Sequence, residues 1–243
     1  MDKLIHQQHN IVFIGVKKLL ENNQVAFNIR GTGFIVKKDD KKLIVTCAHV
    51  YQQIADSEKA SIFCGAISPD TKDNDAVKKY NFYDISFITQ HPDPRRDVCL
   101  FEFKKSESGL ESYGYEIDKL SSEDDIKKLK VMSQVEFQGF PLGNEFLQMG
   151  MGITLAASQT IISSIKYSNV DSKVDFILID KLVNPGSSGS PVFHDEKIIG
   201  IASGTLNQTH RIGETLINVP VNIGLVRTSN YILELLNSLN PKS

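Results

Sequence analysis

Short apolar runs separated by polar turn residues dominate the chain. They are rich in Val, Ile, Phe and Tyr and are broken by Gly, Asp, Asn and Lys, a pattern typical of β-strands. In the first half the pattern predicts strands at residues 11–16, 25–30, 33–37, 43–46, 60–65, 83–89 and 99–103. In the second half it predicts strands at residues 134–139, 150–157, 159–165, 176–179, 191–194, 197–204 and 214–219. Many short strands at this spacing favour an all-β sandwich or barrel over alternating βα units.

Two segments depart from this pattern. Residues 106–130 are polar and charged and hold one short helical turn, as expected of a connection between two units. Residues 224–239 have helical periodicity, with Asn222 as a candidate N-cap. The apolar side chains on one face of this predicted helix are Leu225, Ile232, Leu235, Leu236 and Leu239. The sequence therefore predicts a first β unit over 1–105, a linker over 106–130, and a second β unit with a closing helix over 131–243.

The composition is that of an ordinary soluble globular protein. The 243 residues suffice for one large domain or two small ones, with 41% hydrophobic and 23% charged residues. The net charge of -2 gives no sign of a nucleic-acid-binding face, and basic runs such as Arg95-Arg96 are interpreted as solvated surface. No apolar run has the length of a membrane span, so neither nucleic acid nor a membrane is an expected partner. Residues 1–10 lack the apolar region of a signal peptide, which predicts a cytoplasmic protein, or a secreted one if a leader was removed.

Neither the cysteines nor the acidic residues indicate a metal site. The three cysteines, Cys47, Cys64 and Cys99, are odd in number, lack a CxxC spacing and lie in apolar runs, which predicts buried free thiols. The acidic stretch at residues 70–75 lacks the glycine and the terminal glutamate of an EF-hand, so we interpret it as a solvated loop. We expect no metal and no cofactor.

The strongest local signal for chemistry is the stretch NPGSSGSP at residues 184–191. A serine between glycines, ahead of an apolar strand, presents its hydroxyl on a tight turn. Gly186 lets its own N–H and that of Ser188 point at one spot, as an oxyanion hole requires. Taken alone, these residues fit a Gly/Ser-rich hairpin loop equally well.

Two further residues, His49 and Asp97, are candidate partners of Ser188. His49 follows an apolar strand and small residues, a place where a lone histidine is usually a packed or surface residue. Asp97 directly precedes an apolar run, and is either a turn residue or a buried carboxylate that orients a histidine. The chain order His49, Asp97, Ser188 differs from the orders of subtilisins and α/β-hydrolases.

With these motifs the sequence resembles the trypsin/chymotrypsin-like serine peptidases, in particular their bacterial HtrA/Deg-like or glutamyl-endopeptidase-like branch. Ser187 and Ser190 depart from the family's serine motif, and the resemblance spans residues 11–239. The matching segments are 31–34 (GTGF), 46–49 (TCAH, similar to T-A-A-H), 97–100 (DVCL, similar to D-[IV]-A-L), 139–143 (GFPLG) and 186–191 (GSSGSP, similar to G-[DN]-S-G-G-P).

The resemblance implies a fold of two six-stranded antiparallel β-barrels with a C-terminal α-helix and without a PDZ domain. It also implies a serine endopeptidase acting on protein or peptide substrates through a catalytic triad. Ser188 would attack the scissile carbonyl to form an acyl-enzyme, His49 would carry the proton, and Asp97 would orient His49. The N–H groups of Gly186 and Ser188 would form the oxyanion hole, worth roughly 3 kcal/mol per donor.

The resemblance also bears on activation and specificity. Ser187 stands where secreted trypsins carry an aspartate that pairs with a newly cut N-terminus, so we expect no zymogen activation of that kind. None of the residues at the family's pocket positions is charged, which predicts cleavage after small or medium aliphatic residues. These residues are Leu182, Val183, Ser203, Gly204 and Val219.

Two alternatives stay open. Ser187 and the bulk of Cys99 would suit a catalytically silent protease fold that serves as a binding scaffold or sensor, although all three triad residues are present. A quality-control factor of the HtrA type would carry a further peptide-binding domain, for which we expect no room after the helix. An activating partner, or additional domains outside this chain, is a further option.

Overall fold

The first barrel contains the strands on which the first half of the site is built. The computed structural model describes residues 8–19, 25–71, 78–104, 110, 113–169, 171–212 and 215–239. The barrel strands are β1 (Ile11–Leu19), β2 (Val25–Lys38), β3 (Lys41–Thr46), β4 (Ile62–Ile67), β5 (Tyr80–Gln90) and β6 (Cys99–Phe103). They pair antiparallel in the order β1-β4-β5-β6-β3-β2, and β2 pairs again with β1, which closes the sheet. A short strand, β7 (Tyr115–Glu116), adds to β2 in parallel.

The second barrel closes in the same antiparallel manner. Its strands are β8 (Gln134–Gly139), β9 (Ala156–Tyr167), β10 (Val174–Ile179), β11 (Pro191–His194), β12 (Lys197–Ile212) and β13 (Thr215–Thr228). Their order around the barrel is β10-β13-β12-β11-β8-β9. The α-helices of the described chain are α1 (Ala48–Gln52), α2 (Glu123–Lys127), α3 (Gly143–Gln148) and α4 (Ser229–Ser238). The predicted fold of two six-stranded antiparallel barrels with a C-terminal helix is confirmed.

The closing helix begins later than the sequence predicts. Residues 224–228 continue β13, and α4 starts at Ser229 with Thr228 as its N-cap, so the prediction of Asn222 as the cap is wrong. Burial alternates along this stretch, with Val226 buried and Leu225 only partly so. Because apolar residues at these positions satisfy both a two-residue and a helical period, the pattern alone does not separate strand from helix.

Three apolar clusters hold the molecule together. Each barrel has its own core, and α4 buries Tyr231, Ile232, Leu235 and Leu236 in the larger cluster, which includes strands of the first barrel. A third cluster joins the barrels: Phe140, which follows β8, packs edge-on against Phe13 of β1 at 5.3 Å between ring centroids. Within the described ranges, no helix has the length and apolar character needed to cross a membrane.

Candidate active site

His49 and Asp97 meet at one end of the first barrel. His49 lies in the first turn of α1, directly after β3. Asp97 ends a short 3-10 helix (Pro94–Arg96) in the left-handed conformation, with φ 51° and ψ 44°. Its Oδ2 is 2.8 Å from His49 Nδ1, and its Oδ1 accepts the His49 backbone N–H at 2.9 Å. Because an ionised carboxylate only accepts, we assign the Nδ1 proton to the histidine, which leaves Nε2 free of a proton in the neutral ring.

The charge state of Asp97 results from opposing effects. Its side chain is only 16% exposed, and this burial favours the neutral acid. Hydrogen bonds from His49 and then from Ser203 stabilise the carboxylate more strongly, so the pKa of Asp97 is lowered from its ordinary value. An ionised Asp97 accepts the hydrogen bond from Nδ1 and so fixes the orientation of the His49 ring.

Ser203 contacts both Asp97 and Ser188. Its hydroxyl donates a hydrogen bond of 2.5 Å to Asp97 Oδ2, and its carbonyl oxygen accepts one of 3.4 Å from Ser188 Oγ. The sequence suggested Ser203 only as a pocket residue. Its contact with Asp97 joins positions 106 residues apart in the chain, and no local pattern signals it.

Ser188 follows a tight turn built by Pro185 and Gly186. The Ser187 N–H donates to the Asn184 carbonyl at 3.0 Å, which closes the turn. Gly186 has φ +88°, the left-handed value that the third residue of a type II turn requires. A Cβ on Gly186 would lie 2.4 Å from the Phe140 carbonyl oxygen, so space as well as conformation demands glycine here.

Both peptide groups beside Gly186 are held by their carbonyl oxygens. The Leu142 N–H donates to the Pro185 carbonyl at 2.8 Å, and the Thr32 hydroxyl donates to the Gly186 carbonyl at 2.7 Å. Since N–H and C=O point in opposite directions across a trans peptide, the first contact also fixes the direction of the Gly186 N–H. Neither the Gly186 N–H nor the Ser188 N–H has a hydrogen-bond partner among the described residues, which leaves both available to an oxyanion.

Thr32 ties the first barrel to the second through three hydrogen bonds, which its hydroxyl and its N–H make. Besides donating to Gly186, its hydroxyl accepts the Phe140 N–H at 2.9 Å. Its own N–H donates to the Ser188 carbonyl at 2.8 Å. The sequence placed Thr32 in a matching motif without a role. Its contacts could not be foreseen, because Thr32 and Gly186 are 154 residues apart.

The residues expected to form a pocket occupy two places. The Thr205 hydroxyl donates to the Val183 carbonyl at 3.0 Å and accepts the Val183 N–H at 2.9 Å, which joins two of the segments expected to line a pocket. Leu182 is next to Val183, and Ser203 and Gly204 directly precede Thr205 on β12. Val219 lies apart, opposite Gln208 on the outer part of β13, and is 43% exposed. Sequence reasoning missed two residues here: Thr205, and Asn222, whose Oδ1 accepts the Leu182 N–H at 3.0 Å.

The three cysteines are buried and free, as the sequence predicts. The ligand atoms of Cys47, His49 and Asp97 lie within 4.8 Å of one another, a grouping that could hold a metal ion. However, burial, followed by the charge of Asp97 and by Cys99, raises the pKa of the Cys47 thiol well above its ordinary value. A thiol that stays protonated is a poor metal ligand. Of the acidic stretch at 70–75, residues 72–75 lie outside the described residues.

Arg96 and Arg95 behave differently although they are neighbours. The Arg95 side chain is 80% exposed, in line with solvated surface. For Arg96 that interpretation is wrong: its side chain is 14% exposed and binds Asp175 of β10 and the Tyr231 hydroxyl of α4. Its guanidinium also lies 4.1 Å from the centre of the Tyr231 ring. Because Asp97 comes next in the chain, Arg96 fixes the Asp97 loop to the second barrel.

The chain is similar to known peptidase sequences. The sequence profile described as "Trypsin-like peptidase domain" matches residues 31–201, which include all three candidate residues. The chain is also 30% identical over 106 residues to "Putative protease Do-like 13" of Arabidopsis thaliana. That alignment covers 42% of this chain and 21% of the relative, so the chain matches only a small part of that protein.

Proposed function

Because the chain belongs to the family of trypsin-like peptidase domains, we propose that it is a serine endopeptidase with Ser188, His49 and Asp97 as its catalytic triad. One observation carries the proposal. The Asp97 carboxylate holds the ring and the backbone of His49 with its two oxygens, and Ser203 joins Asp97 to Ser188. The turn before Ser188 leaves two N–H groups without a partner among the described residues. Such an arrangement suits acyl transfer to a serine.

The first step is attack of Ser188 Oγ on the scissile carbonyl carbon. The Ser188 hydroxyl donates to Ser203 O at 3.4 Å, a long and therefore weak bond, and in the reaction it would instead donate to His49 Nε2. Nε2 takes the hydroxyl proton as the C–O bond forms, and then gives it to the leaving amine as the peptide C–N bond breaks. Water then attacks the acyl-enzyme with the same two proton transfers through His49, which releases the acid and restores Ser188.

The N–H groups of Gly186 and Ser188 would stabilise the negative charge that develops on the carbonyl oxygen. Each such donor is worth roughly 3 kcal/mol to the transition state when it is held in place beforehand. Thr32 and Leu142 hold the turn through its carbonyls, with no ion pair at Ser187. This supports an oxyanion hole that forms on folding and needs no cleavage at the N-terminus.

For specificity we propose cleavage after small or medium aliphatic residues. Val183, which is 5% exposed, and Leu182 offer apolar contacts. The Thr205 side chain reaches across to the Val183 backbone and takes up room that a long side chain would need. We propose a polypeptide as the substrate, and neither nucleic acid nor a membrane as a partner.

The proposal is tested by labelling with a fluorophosphonate probe, which reacts only with an activated serine. We expect the wild-type protein to be labelled and the Ser188→Ala variant to stay unlabelled. A peptide library would then show Ala or Val before the cleaved bond. Absence of labelling between pH 6 and pH 9, with an intact fold by circular dichroism, would favour a catalytically silent scaffold. Cleavage mainly after basic or acidic residues would refute the specificity alone.

A further inference from the structure

Asp97 belongs to a loop of the first barrel, residues 91–98, which connects β5 and β6. The His91 N–H donates to the Val98 carbonyl at 2.9 Å, and this bond closes the neck of the loop. Asp97 has φ 51°, a left-handed value that residues with a Cβ rarely adopt. Such a backbone conformation persists only where its surroundings fix it. The contacts of this loop therefore decide where the Asp97 carboxylate lies.

Arg96 anchors the loop at the residue directly before Asp97. Its guanidinium binds Asp175 of β10 and donates to the Tyr231 hydroxyl of α4. It also lies 4.1 Å from the centre of the Tyr231 ring, and its Nε is 3.4 Å from Asp93 of the loop itself. The Tyr231 ring is fully buried in the larger core cluster, so it forms a rigid support for the guanidinium. Through Arg96, the loop of the first barrel rests on the second barrel and on the closing helix.

A second contact joins α4 to the other end of the loop. Glu234 of α4 has one carboxylate oxygen 3.2 Å from His91 Nε2, and its other oxygen accepts a hydrogen bond from Lys173 at 3.0 Å. The Asp93 N–H donates to His91 Nδ1 at 3.1 Å, so we assign the proton of the neutral ring to Nε2, which donates to Glu234. The helix thus holds the loop at its first residue as well as at Arg96.

The Asp97 carboxylate depends on an exact backbone position. It accepts hydrogen bonds from His49 Nδ1, the His49 N–H and the Ser203 hydroxyl at 2.8, 2.9 and 2.5 Å. A displacement of about 0.5 Å is enough to spoil such a constellation. On the first-barrel side, the Asp97 carbonyl accepts the Ala48 N–H at 3.2 Å. Arg96 supplies the support from the opposite side, and a shift of its backbone is passed on to Asp97 through a single planar peptide.

We propose that Arg96 and Tyr231 are positioning residues of the candidate triad, through which the closing helix α4 sets the place of the Asp97 carboxylate. This rests on the proposed function. Arg96 acts through the Asp97 backbone, and Tyr231 acts through Arg96. The helix then contributes to catalysis in addition to its apolar packing. Arg95 offers a matched control, because it is 80% exposed and its hydrogen bonds in the described structure all go to Asp93.

Kinetics on a short peptide substrate test the proposal, at a temperature where circular dichroism shows each variant to be folded. We expect Arg96→Met to lower kcat about 10- to 100-fold with KM nearly unchanged, because a misplacement of about 1 Å costs up to about 100-fold. Arg95→Met should keep kcat within about twofold of the wild type, as expected of an exposed side chain. Tyr231→Phe keeps the ring and removes only the hydroxyl that accepts from Arg96, so kcat should fall by about three- to tenfold.

Proton NMR separates positioning from stability. The Nδ1 proton between His49 and Asp97 lies in a charge-assisted hydrogen bond and should give a low-field signal, identified by its absence in His49→Ala. We expect this signal to shift or broaden in Arg96→Met and Tyr231→Phe, and to stay unchanged in Arg95→Met.

Two results would overturn the positioning role. One is an unchanged NMR signal and kcat in Arg96→Met, with only a lower free energy of unfolding. The other is an equal loss of kcat in both arginine variants. A wild-type protein that resists the fluorophosphonate probe would overturn the proposed function instead, and the NMR signal would then still show whether Arg96 places Asp97.

Discussion

Replacing Thr32 by valine removes a hydroxyl while keeping nearly the same shape. Thr32 is fully buried, and its hydroxyl donates to the Gly186 carbonyl at 2.7 Å and accepts the Phe140 N–H at 2.9 Å. The backbone contacts of Thr32 with Ser188 and Thr46 do not depend on the side chain. The variant therefore isolates what the hydroxyl alone does for the turn.

The magnitude follows from the two groups left without a partner. The Phe140 N–H is buried, and losing its acceptor costs about 1–3 kcal/mol, whereas the partly buried Gly186 bond contributes about 0.5–1.5 kcal/mol. We expect the free energy of unfolding to fall by roughly 2–4 kcal/mol. The freed Gly186 carbonyl belongs to the peptide group between the two oxyanion donors, so its movement loosens the turn that carries both of them. Full loss of one such donor lowers kcat about 100- to 1000-fold. Because the Leu142 contact remains, we expect a loss of about 10- to 100-fold.

Urea unfolding and steady-state kinetics on a short peptide measure the two effects. Thr32→Ser is the control, since it keeps the hydroxyl and should retain kcat within about threefold despite the loss of a methyl group. The expected kinetic signature of Thr32→Val is a lower kcat with KM nearly unchanged, because the oxyanion exists only in the transition state. If Thr32→Val kept wild-type kcat and stability, the reasoning about the held turn would be refuted.

Three further variants address other parts of the site. Ser203→Ala removes a donor to Asp97, so the pKa of Asp97 should rise. The folded pKa of Asp97 lies below its unfolded value, so its contribution to stability is present above about pH 4 and is lost as pH falls. Acid unfolding of Ser203→Ala should therefore start at a higher pH, and an unshifted urea midpoint between pH 2 and pH 5 would contradict this. Arg96→Met should lower the free energy of unfolding, measured by calorimetry, by about 2 kcal/mol, because it removes the cation beside Asp175 and the Tyr231 ring. Arg95→Met should change that free energy by less than about 0.5 kcal/mol. Thr205→Gly should open the pocket and raise kcat/KM after Leu or Phe about tenfold relative to Ala, and an unchanged preference in a peptide library would argue against a pocket limited by Thr205.

The barrels could be predicted because alternation of apolar and polar residues along a strand records which face is buried. Where one pattern fits two structures, as at Leu225 and Val226, the sequence predicted helix and the chain forms strand. The outer part of β12 was missed for a related reason: residues 206–211 are exposed, so no burial pattern extends the strand predicted to end at Gly204.

In the candidate site, too, some residues could be predicted from the local sequence and others could not. The residues His49, Asp97 and Ser188 lie in recognisable local motifs, and local sequence sufficed to single them out. The hydroxyls of Thr32 and Ser203 act across 154 and 106 residues of chain, where only the folded arrangement reveals the contact. The structure also places Val219, a pocket candidate by position in the motif, on the outer part of β13.

The contacts of Thr32 with the Ser188 turn, and of Ser203 with Asp97, all cross from one barrel to the other. Synthesis proceeds from the N-terminus, so the first barrel, with His49 and Asp97, is complete before Ser188 and Ser203 are made. Neither barrel alone contains both the proposed base, His49, and the proposed nucleophile, Ser188, and the turn lacks its Thr32 anchor until the two dock. Under the proposed function, a nascent or half-folded chain has no working nucleophile, which protects unfolded copies, the most cleavable of all polypeptides, from one another.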